Sequence, residues 1–432
     1  MPTRRPDSPC RPSIHSAQLS SEEYFLPKSK RRQLLREVPG GITAPCGFEA
    51  AGVRCGIKAK GLDLALICTL SPAVAAGVFT TNRFQAAPVL VTKDRVSRES
   101  IRALIVNSGN ANACTGRRGY RDALRTTELT GEALDIPHSS ILVCSTGVIG
   151  EYLPMRKLGA GIKKAVTALG PDGGTAAAEA IMTTDTRSKT IAIEFELDGR
   201  PIRVGGMAKG SGMIAPNMAT MLAFLTTDAH LAPGVLQSCL ESAVEHSFNR
   251  ITVDGDTSTN DMVILLANSQ AEAGRITRRH GLPRFQAALD RVCAHLAQEI
   301  VRDGEGASRF IEIHVRGAAS DRDAQKIARA IANSPLVKTA IAGGDPNWGR
   351  IAAAAGRAGV QFQPDLVDIR LGDIRVMRNG AVCKHDLRVT RQAARGREVH
   401  ITVDLNAGKR EALVWTCDLT ADYVHINADY HT

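Results

Sequence analysis

Aromatic residues are scarce in this 432-residue sequence, since Phe, Trp and Tyr together make up 4% of it. Proteins that bind single-stranded nucleic acid stack bases on aromatic side chains, so the composition argues against such a partner. Long apolar runs are also missing, because stretches such as residues 62–70 fall well short of the ~20 residues that a membrane span needs. No secretory signal is recognisable. We therefore predict a globular, cytoplasmic protein that has no transmembrane helix.

Paired cysteines are missing as well. The ten cysteines stand singly along the chain, without a CxxC pair or a Cys/His spacing typical of zinc. Cys68, Cys144 and Cys417 lie within apolar runs, as small core residues of a reducing compartment do. The sequence also lacks a P-loop and a Rossmann fingerprint. We expect no metal site and no bound cofactor.

Positive charge is concentrated at the start of the chain. The formal net charge is +10, and the first 40 residues supply +4 of it through eight Lys/Arg against four Asp/Glu. Residues 1–39 lack hydrophobic periodicity over most of their length, so we predict a disordered basic leader. An organelle-targeting role is an alternative, which the acidic residues Asp7, Glu22 and Glu23 disfavour. Nucleic-acid binding is another, and it requires that function be lost when residues 1–39 are removed.

Strand and helix patterns alternate beyond residue 40, and 44% of the chain is apolar. This predicts an α/β fold of mixed sheets packed with helices, in two domains or one large two-part unit. The predicted strands cover residues 62–70, 87–92, 101–106, 141–144, 190–197, 201–207, 310–315, 367–377, 399–405 and 411–417. The predicted helices cover residues 233–246, 284–302, 321–332 and 348–357. Asp198-Gly199 predicts a hairpin turn.

Polar loops follow several of these strands. Asn107–Asn112 and Ser145–Gly150 both present hydroxyls, amides and glycines at strand ends, where α/β proteins commonly gather their sites. Thr183–Thr186 places three hydroxyls around one carboxylate, which alone is typical of a capped turn. Asn249–Asp261 is dense in Asp and Asn but lacks the EF-hand ligand spacing and terminal Glu, so a hydrogen-bonded structural loop is favoured over a calcium site.

The segment Lys209–Phe224 sets a glycine-rich polar stretch against an apolar strand, and Thr220 stands at the junction. Threonine is a weak nucleophile unless a base lies beside it, and cleavage between Ala219 and Thr220 would supply one as the free α-amine. An α-amine titrates at about 7.7 to 8.0, so a useful fraction accepts a proton near neutral pH. The alternative is an ordinary buried strand over residues 218–225 with Thr220 at its edge.

Six segments together resemble the signature segments of the ornithine acetyltransferase family, also called glutamate N-acetyltransferases. They occur in family order between residue 40 and the last residue. They are Ser145–Gly150, Met182–Thr186, Lys209–Phe224, Asn249–Asp261, Asp345–Arg350 and Ile426–Tyr430. The resemblance implies a self-processing fold like that of N-terminal-nucleophile enzymes, of the ornithine acetyltransferase/aminopeptidase type.

The resemblance also implies an activity and its residues. The chain would cut itself into an α chain, residues 40–219 with the leader, and a β chain, residues 220–432. It would then move an acetyl group from N-acetylornithine to glutamate in arginine biosynthesis, carried as an ester on Thr220. The implied oxyanion pair is Thr146 and Gly147. The implied substrate contacts are Thr183, Lys209, Thr220, Glu305, Asn427 and Thr432.

Three further points follow from the resemblance. Two α and two β chains from one precursor are expected to assemble, with small-molecule substrates and no nucleic-acid or membrane partner. Acetyl-CoA as a second donor stays open, because the missing phosphate-binding fingerprints do not exclude a surface site. A peptidase or amidohydrolase of related fold is the alternative function, and it would use water instead of glutamate as the acceptor.

Overall fold

A computed structural model describes residues 35–98, 100–215 and 221–429. The strands in chain order are β1 Arg36–Glu37, β2 Phe48–Val53, β3 Leu64–Phe79, β4 Ile101–Asn110, β5 Ile141–Val148, β6 Lys189–Leu197, β7 Arg200–Lys209, β8 Leu222–Thr227, β9 Ile251–Thr252, β10 Met262–Ala267, β11 Phe310–Ala318, β12 Asp368–Leu371, β13 Ile374–Arg378, β14 Ala381–Val382, β15 Glu398–Asp404 and β16 Arg410–Cys417. The helices are α1 Ala87–Arg95, α2 Gly116–Leu134, α3 Met155–Thr167, α4 Gly174–Ala180, α5 Pro233–Glu245, α6 Leu282–Arg302, α7 Asp321–Ala332, α8 Pro335–Ala342, α9 Trp348–Gly356, α10 Leu387–Arg395 and α11 Ala421–Asp429.

The larger sheet is mixed and runs in the order β1-β6-β7-β8-β10-β3-β4-β5, with β2 also paired to β3. Strands β8 and β10 are parallel, as are β4 and β5, whereas β10 is antiparallel to β3. The long strand β3 pairs with different strands along its length, and its register with β4 shifts between Cys68 and Ala73. Its first half pairs with β2 and β4, and its second half pairs with β10. The predicted α/β class with mixed sheets is confirmed.

Helices cover both faces of this sheet. Helices α5 and α6 pack on one face, where Leu240, Phe285 and Leu296 are fully buried against β7, β8 and β10. Short helices α1 and α4 close part of the opposite face, whereas α2 and α3 pack at the β4–β5 end against the alternate side chains, such as Ile105 and Val143. Burying both faces excludes water from the strand ends, where polar side chains gather.

A second, smaller sheet has the order β14-β13-β12-β15-β11-β16-β9. Helices α7, α8, α9 and α10 pack against it around Ile327, Ile341 and Ile401. Phe310 and Trp415 extend from this sheet into the core beneath α6, so apolar contacts join the two sheets. The expected two-part architecture is therefore present. Among residues 35–98, 100–215 and 221–429, no helix combines the length and apolar character that a membrane crossing needs.

The hairpin prediction is confirmed in detail. Strands β6 and β7 pair from Lys189↔Ala208 to Leu197↔Arg200, and their turn residues Asp198 and Gly199 both have positive φ, 53° and 77°. Two positive φ values match the right-handed strand twist, which is why Asp-Gly is favoured here. Helix α7 also has the predicted bounds, and a Ser at its N-cap accepts a backbone N–H.

Three predictions of local structure were wrong. Residues 87–92 are helical, because a short apolar run does not distinguish strand from helix and Pro88 is tolerated in a first helical turn. Residues 367–377 form two antiparallel strands, since Gly372 with φ of +55° turns the chain between them. Arg36–Glu37 form strand β1, so the end of the predicted leader, residues 1–39, is folded, and residues 1–34 lie outside the described residues.

Candidate active site

Six residues that the sequence predicted as a site line a single cavity of about 130 Å³. They come from separate stretches of the chain: the end of β5, the loop before β6, the end of β7, the loop after α6, and helix α11. The six are Thr146, Gly147, Thr183, Lys209, Glu305 and Asn427. Ala219, Thr220 and Thr432 lie outside the described residues. The structure therefore brings the described members together, and the chemical roles of all nine stay predictions.

The oxyanion candidates occupy the end of β5, where it runs parallel to β4. Gly147 pairs with Gly109, and a Cβ on Gly147 would lie 2.3 Å from the backbone C of Gly109. Gly147 also has φ of +129°, so both space and conformation require glycine there. Thr146 is buried beside it and lines the cavity. Close strand approach thus sets one hydroxyl residue and a side-chain-free backbone at the cavity wall.

Lys209 supplies a buried cation at the end of β7. Its backbone pairs with Leu222 at the start of β8, and Leu222 follows Thr220 by two residues in the sequence. Burial lowers the pKa of the Lys209 ammonium, and the nearby carboxylate of Asp185 opposes that effect. The lysine is 4% exposed and lines the cavity. A buried ammonium of this kind suits a substrate carboxylate.

A buried network holds the wall behind Lys209. Lys189 Nζ lies 2.7 Å from Asp185 Oδ1 and 2.6 Å from Asp303 Oδ2, and all three side chains are almost fully buried. Asp185 also accepts N–H bonds from Gly210 at 2.6 Å and Thr183 at 3.0 Å. Burial alone would raise the pKa of Asp185, but Lys209, Lys189 and the Gly210 N–H lower it to about 2. One ionised carboxylate thereby positions two cavity segments at once.

Glu305 and Asn427 form an acidic part of the cavity wall. Asn427 Nδ2 donates to Glu305 Oε2 at 2.8 Å and to the Tyr423 carbonyl at 3.0 Å. The Glu305 backbone N–H donates to the Ser211 carbonyl at 2.9 Å, which ties the loop after α6 to the glycine-rich segment after β7. The cavity wall therefore contains both an ammonium, from Lys209, and a carboxylate, from Glu305.

Comparison with known proteins agrees with the resemblance in the sequence. The sequence pattern of the ArgJ family matches residues 49–432. The chain belongs to the ArgJ family. It is 51% identical to the arginine biosynthesis bifunctional protein ArgJ of a Synechococcus strain, over 92% of this chain and 99% of that one. A relative of the same name from Symbiobacterium thermophilum is 52% identical over 91% of this chain and 99% of its own.

A solved ArgJ-family structure is also similar in sequence. The ornithine acetyltransferase of Mycobacterium tuberculosis, complexed with ornithine, is 44% identical with a TM-score of 0.39, and the match covers 42% of this chain and 98% of that one.

The cavity has further lining residues to which the sequence assigned no role. Asp254, Asp256, Ser258 and Asn260 line it, so the 249–261 loop forms part of the site as well as the hydrogen-bonded structure that was predicted. Thr184, Gly212, Met213 and Tyr423 line it too. All of these residues except Tyr423 belong to the six segments that carry the family resemblance, so the resemblance was the sequence signal that pointed to them. The spacing of residues within a polar loop does not show which of them has a role.

The carboxyl of Asp254 has a raised pKa. It accepts backbone N–H bonds from Met213 at 2.5 Å and Ile214 at 2.8 Å, and the Tyr423 hydroxyl lies 3.5 Å from its Oδ2. Burial raises the pKa of Asp254 to about 6, against the lowering effect of those N–H bonds. Burial and the carboxylates of Asp254 and Glu305 raise the pKa of Tyr423, so its hydroxyl stays protonated. Within the described residues, no cluster of three or more His, Cys, Asp or Glu could hold a metal ion.

Proposed function

We propose that this protein is an acetyltransferase of arginine biosynthesis that moves the acetyl group of N2-acetyl-L-ornithine to L-glutamate. The observation that carries the proposal is the cavity itself, where six residues implied by the family resemblance meet from separate segments. Membership of the ArgJ family supports the same activity. A cytoplasmic location and an assembly of two α and two β chains belong to the proposal.

The charges of the cavity suit both substrates. N-acetylornithine has an α-carboxylate, which Lys209 would bind, and a δ-ammonium, which Glu305 would bind with Asp254 nearby. Glutamate has no ammonium at its far end. Its side-chain carboxylate would instead meet protonated donors, and the Tyr423 hydroxyl and Asn427 amide lie on that side. The neutral donors let one site accept two differently charged side chains.

The proposed transfer is a two-step exchange through Thr220. The Thr220 hydroxyl attacks the acetyl carbonyl while its own α-amine takes the hydroxyl proton. Thr146 and Gly147 donate to the resulting oxyanion. The ammonium then passes its proton to the departing nitrogen, ornithine leaves, and acetyl-Thr220 remains. Glutamate attacks that ester through its neutral amine, and the Thr220 α-amine takes a proton from the attacking nitrogen and passes it to the Thr220 oxygen as N-acetylglutamate forms.

Self-cleavage would create this catalyst. The Thr220 hydroxyl attacks the carbonyl of Ala219, the peptide nitrogen takes up the hydroxyl proton and leaves as the Thr220 α-amine, and an ester joins residues 219 and 220. Water then hydrolyses the ester, which frees the Ala219 carboxylate and the Thr220 hydroxyl. Both steps pass through tetrahedral oxyanions, so Thr146 and Gly147 would serve in processing and in transfer. Acetyl-CoA would be the second donor of a bifunctional enzyme, since its thioester can acylate the same hydroxyl.

The decisive test is processing together with acceptor dependence. Purified full-length protein should give two bands on a denaturing gel, and the second should begin at Thr220 by N-terminal sequencing. Thr220→Ala should stay uncut and inactive. Thr167→Ala, which removes a hydroxyl on exposed helix α3, should cut and transfer normally. A single full-length band from active enzyme would contradict the proposal.

Acceptor dependence separates the transferase from the hydrolase. Ornithine release from N-acetylornithine should require glutamate, and N-acetylglutamate should appear in equal amount. Release at the same rate without glutamate would favour an amidohydrolase of related fold. Glutamate acetylation by acetyl-CoA, assayed alone, measures the second activity.

A further inference from the structure

Asn260 lies at the start of β10 with every polar group of its side chain paired. Its Nδ2 donates to the carbonyl of Ala111 at 2.7 Å and to the carbonyl of Ser145 at 2.8 Å. The hydroxyl of Thr259 donates to its Oδ1 at 2.5 Å. Since Nδ2 has two acceptors and Oδ1 one donor, this arrangement fixes which way the amide faces.

One carbonyl belongs to β5, which carries the proposed oxyanion pair, and the other follows its partner strand β4. Ser145 directly precedes Thr146, and Ala111 directly follows β4. The β4–β5 pairing shifts register between Gly109 and Asn110, and beyond the shift the Ala111 N–H donates to the Val148 carbonyl at 2.9 Å. The buried Asn260 amide adds a side-chain bridge between the two strands at this irregular end.

The next residue reaches the other half of the site. Asp261 Oδ1 accepts the backbone N–H of Met221 at 3.0 Å. Met221 is the residue after the proposed nucleophile and precedes β8. Two adjacent side chains at the head of β10 therefore contact the oxyanion strand ends and the start of the nucleophile strand.

We propose that Asn260 is a positioning residue, which holds Thr146 and Gly147 at the distance from β8 that oxyanion stabilisation requires. The inference rests on the proposed function, since it assigns a role within that reaction. Small displacements matter in such sites, because a misplacement of about 1 Å can cost about 100-fold in rate.

Asn268 offers a matched control at the opposite end of the same strand. It is 3% exposed, against 4% for Asn260. Its Nδ2 also bridges two acceptors, the Cys46 carbonyl at 2.9 Å and the Thr69 hydroxyl at 3.1 Å. Both variants to Ala remove a buried bridging amide from an end of β10, but only one end adjoins the cavity.

The experiment compares Asn260→Ala and Asn268→Ala for thermal midpoint, self-cleavage rate, and kcat and KM of glutamate-dependent ornithine release. We expect similar losses of thermal midpoint. Asn260→Ala should lose about 10- to 100-fold in kcat, with KM for N-acetylornithine changed by less than about 3-fold. Slowed or absent self-cleavage of folded Asn260→Ala also supports the inference, since both steps use the same oxyanion site.

A second measurement keeps the test specific. In a double-mutant cycle that combines Asn260→Ala with Thr146→Val, the losses in kcat from the two substitutions should be far from additive. The reason is that removing the Thr146 hydroxyl costs less when the oxyanion site is already displaced. Full additivity, a loss confined to KM, or equal effects of Asn260→Ala and Asn268→Ala on kcat and processing would overturn the inference. Wild-type protein without transfer activity would refute the proposed function instead.

Discussion

Gly212 lies against the carboxylate of Glu305 so closely that a Cβ on Gly212 would be 2.3 Å from Glu305 Oε2. The glycine-rich segment after β7 therefore leaves room for an acidic side chain that arrives from the loop after α6. The colliding atoms are the end of a flexible side chain, so the clash can be relieved by rotation. The absence of a side chain at residue 212 thus sets where the Glu305 carboxylate stands in the cavity.

Replacing Gly212 should change substrate binding more than stability. In Gly212→Ala the Glu305 carboxylate must rotate away, so we expect KM for N-acetylornithine to rise by about 10-fold, the value of one lost charge-assisted contact of 1.4 kcal/mol. The thermal midpoint should change little. Gly234→Ala is the matched control, since a Cβ there has nothing within 4 Å. An unchanged KM in Gly212→Ala would contradict a contact between Glu305 and the substrate.

The buried network predicts a large stability effect. Lys189→Met leaves Asp185 and Asp303 as two buried carboxylates without their shared cation, and breaking a buried pair costs about 3 to 5 kcal/mol. Urea unfolding in the uncut Thr220→Ala background measures this on one intact chain. Arg125→Met removes exposed ion pairs to Glu128 and Glu132, and it should cost less than about 1 kcal/mol. Similar costs for both variants would contradict this account.

Asp254 predicts a pH dependence of substrate binding. Its pKa of about 6 means that the carboxyl is mostly charged at pH 7 and mostly neutral at pH 5. KM for N-acetylornithine should therefore rise by about 5- to 10-fold from pH 7 to pH 5, as one negative charge near the δ-ammonium is lost. Asp254→Asn should flatten this profile and raise KM at pH 7. A wild-type profile identical to that of the variant would exclude Asp254 as the cause.

The raised pKa of Asp254 also predicts the direction in which the free energy of unfolding changes with pH. Its pKa is raised in the folded state, so between pH ~4 and ~6 the folded chain binds more protons than the unfolded chain. The free energy of unfolding that this group contributes should fall as the pH rises through that window. Urea unfolding of the uncut Thr220→Ala chain gives the free energy of unfolding at pH 4.5 minus that at pH 6.5. This signed difference should decrease when Asp254→Asn is added, and an increase would contradict the raised pKa.

The oxyanion pair predicts a rate effect without a binding effect. Thr146→Val keeps the shape of the side chain and removes its hydroxyl, so kcat should fall by about 100- to 1000-fold while KM changes little. Processing should slow as well, visible as full-length protein in a time course after synthesis. Thr146→Ser should recover most of the activity. Failure of Ser to recover it would point to packing by the methyl group instead of hydrogen bonding.

Much of this arrangement was predictable because it is written in local patterns. Asp198-Gly199 predicted the β6–β7 hairpin, and the periodic apolar residues of α6 predicted the helix beneath the larger sheet. The polar loops after β4 and β5 predicted where a site gathers. The α/β class follows from such signals, since strand and helix periods differ along the sequence.

What could not be predicted depends on residues far apart in the chain. Helix α1 was wrongly predicted as a strand, because tertiary packing decides the state of a six-residue apolar run. The pKa of Asp254 arises from burial beneath Met213 and Tyr423, which no sequence spacing reveals. Asn260 bridges to Ala111 and Ser145, more than 100 residues away. Such contacts exist only once these distant segments have folded together.

The strand order has a consequence for how the protein can be made. Strands β8 and β10 come from the segment after Thr220, yet they sit between β7 and β3, which come from the segment before it. Cutting between Ala219 and Thr220 would leave the described pairings of β8 with β7 and β10 in place, so the products should elute together until denatured. Separately expressed halves would each have a sheet with an unfilled gap or unpaired edges. If the chain is cut as proposed, we expect it to be synthesised as one chain, folded, and cut afterwards.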